Sequence, residues 1–393
     1  MKRLVTLLLC VFLFQPVMGK EKTTISPWLF KKLSKAEQLI AKKSYQQAEQ
    51  SLKAILKQVD NKSYEQATVL RSLSSVYALK EQYRQATETL VKAVNLQLLP
   101  KTQQQQAILN LGQLYMAIEQ YRKAIATLEP WLAKNSSSDA QINVLIANAY
   151  AQLKQYSKAL PFIKKAIAQT KKPDESWYQL NLALYYELEN YSAAAQILKK
   201  LIAIYPDKKT YWQQLSSTYQ QSKQFKKAAS IQYLAYKKGL INSEKEISQL
   251  TDLFLYIGAP YKAANLLQQG LTQKRIKSNS KNWESLANAW RMAKEFNKAI
   301  AALETASKMN EKGRLYQQLG QIYVEQEQWN KAISALKKAI AKGGLKDTGN
   351  SYFLLGMSYY ELKNIEQAKK YFLAASKYSK NKKAALQWLK YIS

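Results

Sequence analysis

Few kinds of side chain in this sequence could do chemistry. Sixty lysines and arginines stand against 27 aspartates and glutamates, a formal charge of +33, and there is no histidine. Without histidine the usual proton carrier near neutral pH is missing. Serine–histidine and cysteine–histidine catalysis and histidine-ligated zinc go with it. The single cysteine, Cys10, sits in an apolar N-terminal run, so the rest of the chain offers no thiolate nucleophile, disulfide or thiolate metal site. The acids are scattered, with no tight carboxylate pair and no Asp-rich loop for calcium or magnesium. Neither an enzyme nor a bound metal or cofactor is expected, and function must lie in surfaces.

The elements that carry those surfaces follow from composition. Hydrophobic residues make up 47% of the chain, with only 11 glycines and 8 prolines. An abundance of Ala, Leu, Lys and Gln favours an all-α fold. Residues 1–19 have a basic start (Lys2, Arg3), an apolar run from Leu4 to Phe14 and then Val17-Met18-Gly19. They read as a signal peptide cut after Gly19, the run being short for a membrane span of about 20 residues. Export then places residues 20–393 outside the cytoplasm, and in a Gram-negative cell in the periplasm.

A periodic pattern fills the remainder. A large apolar or aromatic residue is followed three positions later by alanine at Tyr45, Tyr83, Tyr121, Tyr156, Tyr191, Phe225, Tyr261, Phe296, Trp329 and Ile365. Six residues before these anchors lie Tyr77, Tyr115, Tyr150, Tyr185, Tyr219, Trp290, Tyr323 and Tyr359. Nine before come Ser74, Gly112, Ala147, Ser216, Ala287, Gly320 and Gly356. The small residues let paired helices approach to about 8–10 Å: Gly320 on a first helix against Ala332 on the second, with Leu336 and Ala339 presented to the next unit. Around 240–280 the pattern is irregular, since Leu255 replaces the upstream aromatic and Gly258-Ala259-Pro260 precedes Tyr261. The stretch 273–282 reads as a polar loop.

This pattern resembles the tetratricopeptide repeat, a helix–turn–helix unit of about 34 residues. The resemblance covers roughly residues 30–390. It implies an all-α, right-handed superhelical solenoid of about ten repeats with a C-terminal capping helix, since a helical pair alone cannot bury its apolar face. It further implies a concave groove lined by the first helices, with Arg71, Ser75, Asn110, Gln113, Asn148, Gln213, Ser217, Asn288, Arg291, Gln317 and Gln321 facing it. Amides that both donate and accept suit an extended peptide backbone.

Two further surfaces draw notice. Lys164-Lys165, Lys199-Lys200 and Lys337-Lys338 fall eight and nine residues after their anchors, on the outer face of the second helices. Such a basic face suits an anionic envelope polymer: peptidoglycan, exopolysaccharide or lipopolysaccharide. The aromatics occupy repeat positions rather than an open stacking platform, so nucleic acid is not expected. The last stretch, with Gly343-Gly344-Leu345, Leu355-Gly356-Met357 and Trp388-Leu389, looks like the end of periplasmic tetratricopeptide proteins associated with TonB-type energy transduction. That likeness implies TonB, ExbB and ExbD components as partners.

Overall fold

A computed structural model describes residues 24–134 and 140–392. The expected signal peptide, residues 1–19, lies outside the described residues. Every regular element among those described is helical, and the chain divides into two compact units, Met1–Ile197 and Leu198–Ser393.

In the first unit the helices pair as α1 (Pro27–Ala41) with α2 (Tyr45–Leu56), α3 (Tyr64–Leu79) with α4 (Tyr83–Asn95), α5 (Lys101–Ala117) with α6 (Tyr121–Lys134), and α7 (Ala140–Gln152) with α8 (Tyr156–Gln169), followed by α9 (Glu175–Glu187). The boundary falls within α10 (Tyr191–Ile204). The second unit continues with α11 (Lys209–Gln221) and α12 (Phe225–Lys237), α13 (Glu244–Tyr256) and α14 (Pro260–Thr272), α15 (Ser280–Met292) and α16 (Phe296–Met309), α17 (Gly313–Glu325) and α18 (Trp329–Lys342), α19 (Thr348–Glu361) and α20 (Ile365–Ser376), then α21 (Ser379–Tyr391). Within each unit the all-α run of helical hairpins expected from the pattern is what forms.

The anchors have a local meaning: nine of the ten begin the second helix of their hairpin. Two residues ahead of every second helix stands a residue in the left-handed region. It is Lys43, Glu81, Glu119, Lys154, Glu189, Lys223, Lys294, Glu327 or Lys363 at φ 52° to 61°, and only once a glycine, Gly258. The next residue donates its N–H back to the carbonyl six positions before the second helix starts, as Gln82 does to Tyr77 (2.9 Å) and Gln224 to Tyr219 (2.7 Å). This is the Schellman closure of a helix end. The recurrent aromatic therefore supplies a carbonyl to the turn as well as a ring to the core.

The hairpin containing Pro260 keeps this geometry and corrects the sequence register by one residue. Pro260, not Tyr261, opens α14, and Phe254 supplies the carbonyl to Ala259 (2.8 Å) and is buried; Leu255 is not its substitute. Tyr261, which carried the aromatic signal, is exposed instead. Nor is 273–282 wholly polar loop: Ile276 is buried, and a Cβ on Gly270 would come within 2.6 Å of it. The first hairpin, which lacks an upstream aromatic, fills the corresponding places with Ala36 and Leu39.

Close approach within hairpins follows the small residues. A Cβ added at Gly112, Gly320 or Gly356 would lie 2.8, 2.5 or 2.7 Å from Leu128, Leu336 or Phe372 of the facing helix. Where serine stands at the same place, Ser74 and Ser216 donate to the carbonyls of Ala86 (2.8 Å) and Ala228 (3.1 Å), the alanines three residues past their anchors. Leu336 and Ala339 thus press on their own first helix, at Gly320 and Gly313, rather than serving only the next unit. Each fully buried leucine in these layers contributes about 1.5–3 kcal/mol. Trp388 of α21 stacks on Phe372 (5.5 Å, 12°) and closes the last apolar face, as a capping helix should.

Candidate functional site

The first helix of each hairpin carries the side chains named above, and the structure sorts them by what they already hold. In the first unit Arg71 lies on α3 beside Tyr64 and Glu37. Burial pushes the Arg71 pKa down against the pull of those two groups, and burial raises that of Glu37, partly offset by the Arg71 charge. Ser75 donates to the Arg71 carbonyl (3.2 Å). Asn110 accepts from Gln106 (2.9 Å), and Asn148 donates to the Val144 carbonyl (3.0 Å). Gln113 is half-buried.

In the second unit several of these positions tie one first helix to the next. Gln213 on α11 donates to Glu246 on α13 (3.0 Å), which also pairs with Lys209 (2.8 Å). Burial opposes the Glu246 charge. Hydrogen bonds from Lys209, Ser243 and the backbone N–H groups of Ser243 and Asn242 overcome it and hold its pKa at about 2. Glu244 on α13 accepts from Asn282 on α15 (2.8 Å). Buried Glu284 on α15 accepts from Arg314 and Gln318 on α17, the latter at 3.0 Å, and Arg291 faces Glu325 at 3.7 Å. Gln317 is buried, donating to the Asp347 carbonyl and Ser351 Oγ, both at 2.8 Å, at the start of α19. A ladder of charged and amide rungs therefore joins α11, α13, α15, α17 and α19.

Gln213, Arg291 and Gln317 are spent on that ladder, whereas the side chains of Asn288 and Gln321 make no hydrogen bond to another described residue. With Asp252 they occupy equivalent places on α15, α17 and α13, eight residues before each second helix, and Ser217 holds that place, exposed, on α11. Beside this row, four residues before the second helices, stand Tyr256 (68% exposed) and Met292 (55% exposed). Neither was among the candidates read from the sequence; their four-residue offset from Asp252 and Asn288 was the available signal. Tyr256 also meets Phe225 edge-on (4.7 Å) at an open cavity of about 450 Å³ that Lys223, Lys226 and Lys227 line.

The paired lysines separate likewise. Lys164 and Lys165 on α8 are exposed in the first unit, and Lys199 and Lys200 on α10 are exposed. Lys338 lies over the Tyr316 ring (4.3 Å) and Lys337 over that of Tyr359 (5.4 Å), whose hydroxyl raises the Lys337 pKa. A second lysine set went unread in the sequence. Two residues past the anchor, Lys123, Lys158, Lys227, Lys298 and Lys331 sit 4.5–6.0 Å from the recurrent aromatics Tyr115, Tyr150, Tyr219, Trp290 and Tyr323. Part of the basic charge is thus paired with rings of the fold. Among the described residues no group of three or more His, Cys, Asp or Glu is gathered as a metal site would need.

Comparison with family models finds the repeat over part of the chain. Models described as tetratricopeptide repeat match residues 109–176, 178–208, 313–341 and 349–382. No curated protein matches the chain. Among solved structures, MamA is 24% identical, over 43% of this chain and 96% of that one, at a TM-score of 0.36. A tetratricopeptide repeat protein from Parabacteroides merdae is 15% identical, over 72% of this chain and 94% of that one, at a TM-score of 0.42. YrrB, described as a TPR protein with an unusual peptide-binding site, is 14% identical, over 50% of this chain and all of that one, at a TM-score of 0.38.

Proposed function

We propose that this chain, which matches tetratricopeptide repeat models at residues 109–176, 178–208, 313–341 and 349–382, is a non-enzymatic scaffold holding an extended protein segment along its first helices. Proteins of this repeat generally mediate protein–protein interactions as scaffolds. The observation that carries the reading is the uncommitted row Asp252, Asn288 and Gln321 beside exposed Tyr256 and Met292. Amides donate to and accept from a peptide backbone, while Tyr256 and Met292 take its apolar side chains. The more specific form of the proposal is an accessory role in a TonB–ExbB–ExbD system in the periplasm, suggested by the C-terminal resemblance.

A second reading, adhesion to anionic envelope polymers, rests on exposed Lys164, Lys165, Lys199 and Lys200. Salt separates the two, because contacts between exposed charges weaken steeply with ionic strength. The deciding experiment titrates fluorescent periplasmic segments of TonB-type and ExbD-type proteins into the protein from Lys20 onward, at low and moderate salt. Binding that persists at moderate salt and is lost in Asn288→Ala/Gln321→Ala supports the scaffold and its TonB partner. Failure of those segments, with another envelope protein retained at moderate salt through the same two amides, removes the TonB role and keeps the scaffold. Binding only of polyanions at low salt, indifferent to the amide changes, sinks the scaffold with its TonB role and leaves the polymer reading.

A further inference from the structure

A strongly basic stretch of the chain coincides with an exposed apolar pattern that the groove does not use. Residues 362–392 contain eight lysines and one acid, Glu366. On α20 the inward face is Ala368, Phe372 and Ala375, all buried. The opposite face carries Lys369, Leu373 and Lys377 at successive four-residue steps, Leu373 being 57% exposed. The next helix repeats the device. Inward α21 sets Ala385 and Trp388 against the hairpin, while outward it carries Lys382, Leu386 and Lys390 at the same steps, Leu386 being 47% exposed. One turn apart, these side chains are neighbours on the helix surface. Tyr378 between the helices is exposed, and Tyr391 is 73% exposed.

Leu373 holds the place, eight residues past the anchor, that Lys337 holds one repeat earlier. The flanking lysines are not used inside the fold: among the described residues Lys369, Lys370, Lys377, Lys380, Lys382, Lys383 and Lys390 appear in no ion pair and over no ring. A leucine between two lysines, twice over and edged by tyrosines, matches the chemistry of an anionic bilayer surface. Lysine ammonium groups meet the lipid phosphates while their stems and the leucines enter the headgroup boundary, and tyrosine favours that depth. No helix of the described residues is long and apolar enough to cross a membrane, so the contact is peripheral and in the plane of the surface.

We infer that the outer faces of α20 and α21 form a docking surface for anionic phospholipid bilayers. A juxtamembrane lysine is worth about 1 kcal/mol against an anionic leaflet, so removing two weakens partitioning roughly thirty-fold. The test is co-sedimentation of the full chain with phosphatidylcholine vesicles, with and without phosphatidylglycerol. Retention by the phosphatidylglycerol vesicles alone is expected. Lys382→Gln/Lys390→Gln should weaken it roughly thirty-fold, against less than about threefold for the charge-matched Lys164→Gln/Lys165→Gln. Leu373→Ser/Leu386→Ser should weaken vesicle retention about tenfold and leave binding to heparin unchanged. All four sites of substitution on α20 and α21 are exposed, and circular dichroism of each variant reports retained helicity. Equal losses in the two lysine pairs, no effect of the leucine pair, or retention without phosphatidylglycerol would each overturn the inference, leaving a general polyanion affinity in the first two cases.

Discussion

Replacing Gly320 by alanine tests whether the small residue of the repeat exists for close helix approach. The added Cβ would lie 2.5 Å from Leu336 Cγ, well inside contact distance, in a place where Leu336 is wholly buried. Overpacking costs about 1–3 kcal/mol, and the better helix propensity of alanine returns about 1 kcal/mol. The preceding hairpin holds Ala287 and Leu303 at the equivalent positions, both buried, so a hairpin can accommodate the methyl group. That places the net cost at the low end, about 1 kcal/mol. Leu336→Ala alone opens a cavity and costs about 2–5 kcal/mol. In the double variant the new methyl group enters that cavity, so the two changes should couple favourably by about 1 kcal/mol or more. Because repeat arrays unfold in parts, the assay is urea-dependent amide exchange read in α17 and α18, supported by circular dichroism. Additivity within about 0.3 kcal/mol would refute the contact as the reason for glycine.

Three further outcomes follow from the turns, rings and rungs. Glu327→Gly relieves a left-handed residue at φ 53° and should raise stability by about 0.5–1 kcal/mol in chemical denaturation, whereas Gly258→Ala at φ 73° should lower it. Lys298 lies 4.5 Å from the Trp290 ring and 5.5 Å from that of Tyr261, so Lys298→Gln should cost about 0.5–1 kcal/mol and shift tryptophan emission. Glu246, held at a pKa of about 2, ionises more readily folded than unfolded. Its stabilisation is therefore complete above the unfolded value and disappears as pH falls from about 4.5 towards 2. Allowing for solvent screening, that amounts to about 1 kcal/mol, and Glu246→Gln should flatten the acid limb of stability by that much.

How much of this the sequence disclosed depends on how local each cause is. Anchors such as Tyr83 and Trp329 are legible because the same residue must open the second helix and follow the left-handed turn in each hairpin. The one slip, at Tyr261, arose where Pro260 took the opening position and an adjacent exposed tyrosine mimicked the motif. The candidate site was less legible. Whether Gln213, Arg291 and Gln317 face a partner or brace the next helix is decided by which side chain lies across the gap, 30 or more positions away in the chain. Gln317 ends against Ser351 while Gln321, one turn later, is left uncommitted. No residue-by-residue pattern distinguishes them. The lysines over the recurrent rings were recoverable, since both partners keep a fixed offset from the anchor, but only once the hairpin was closed.

The rungs between first helices also set a metre. Packed helices repeat at about 8–10 Å, and an extended chain advances about 3.3 Å per residue. Were α13, α15 and α17 held at that spacing by their rungs, a strand laid across them would present every third residue to the row Asp252, Asn288 and Gln321. The residues between would meet the rungs or open water. A segment recognised here would be marked less by a compact motif than by a three-residue rhythm, in which a one-residue deletion shifts everything beyond it out of phase.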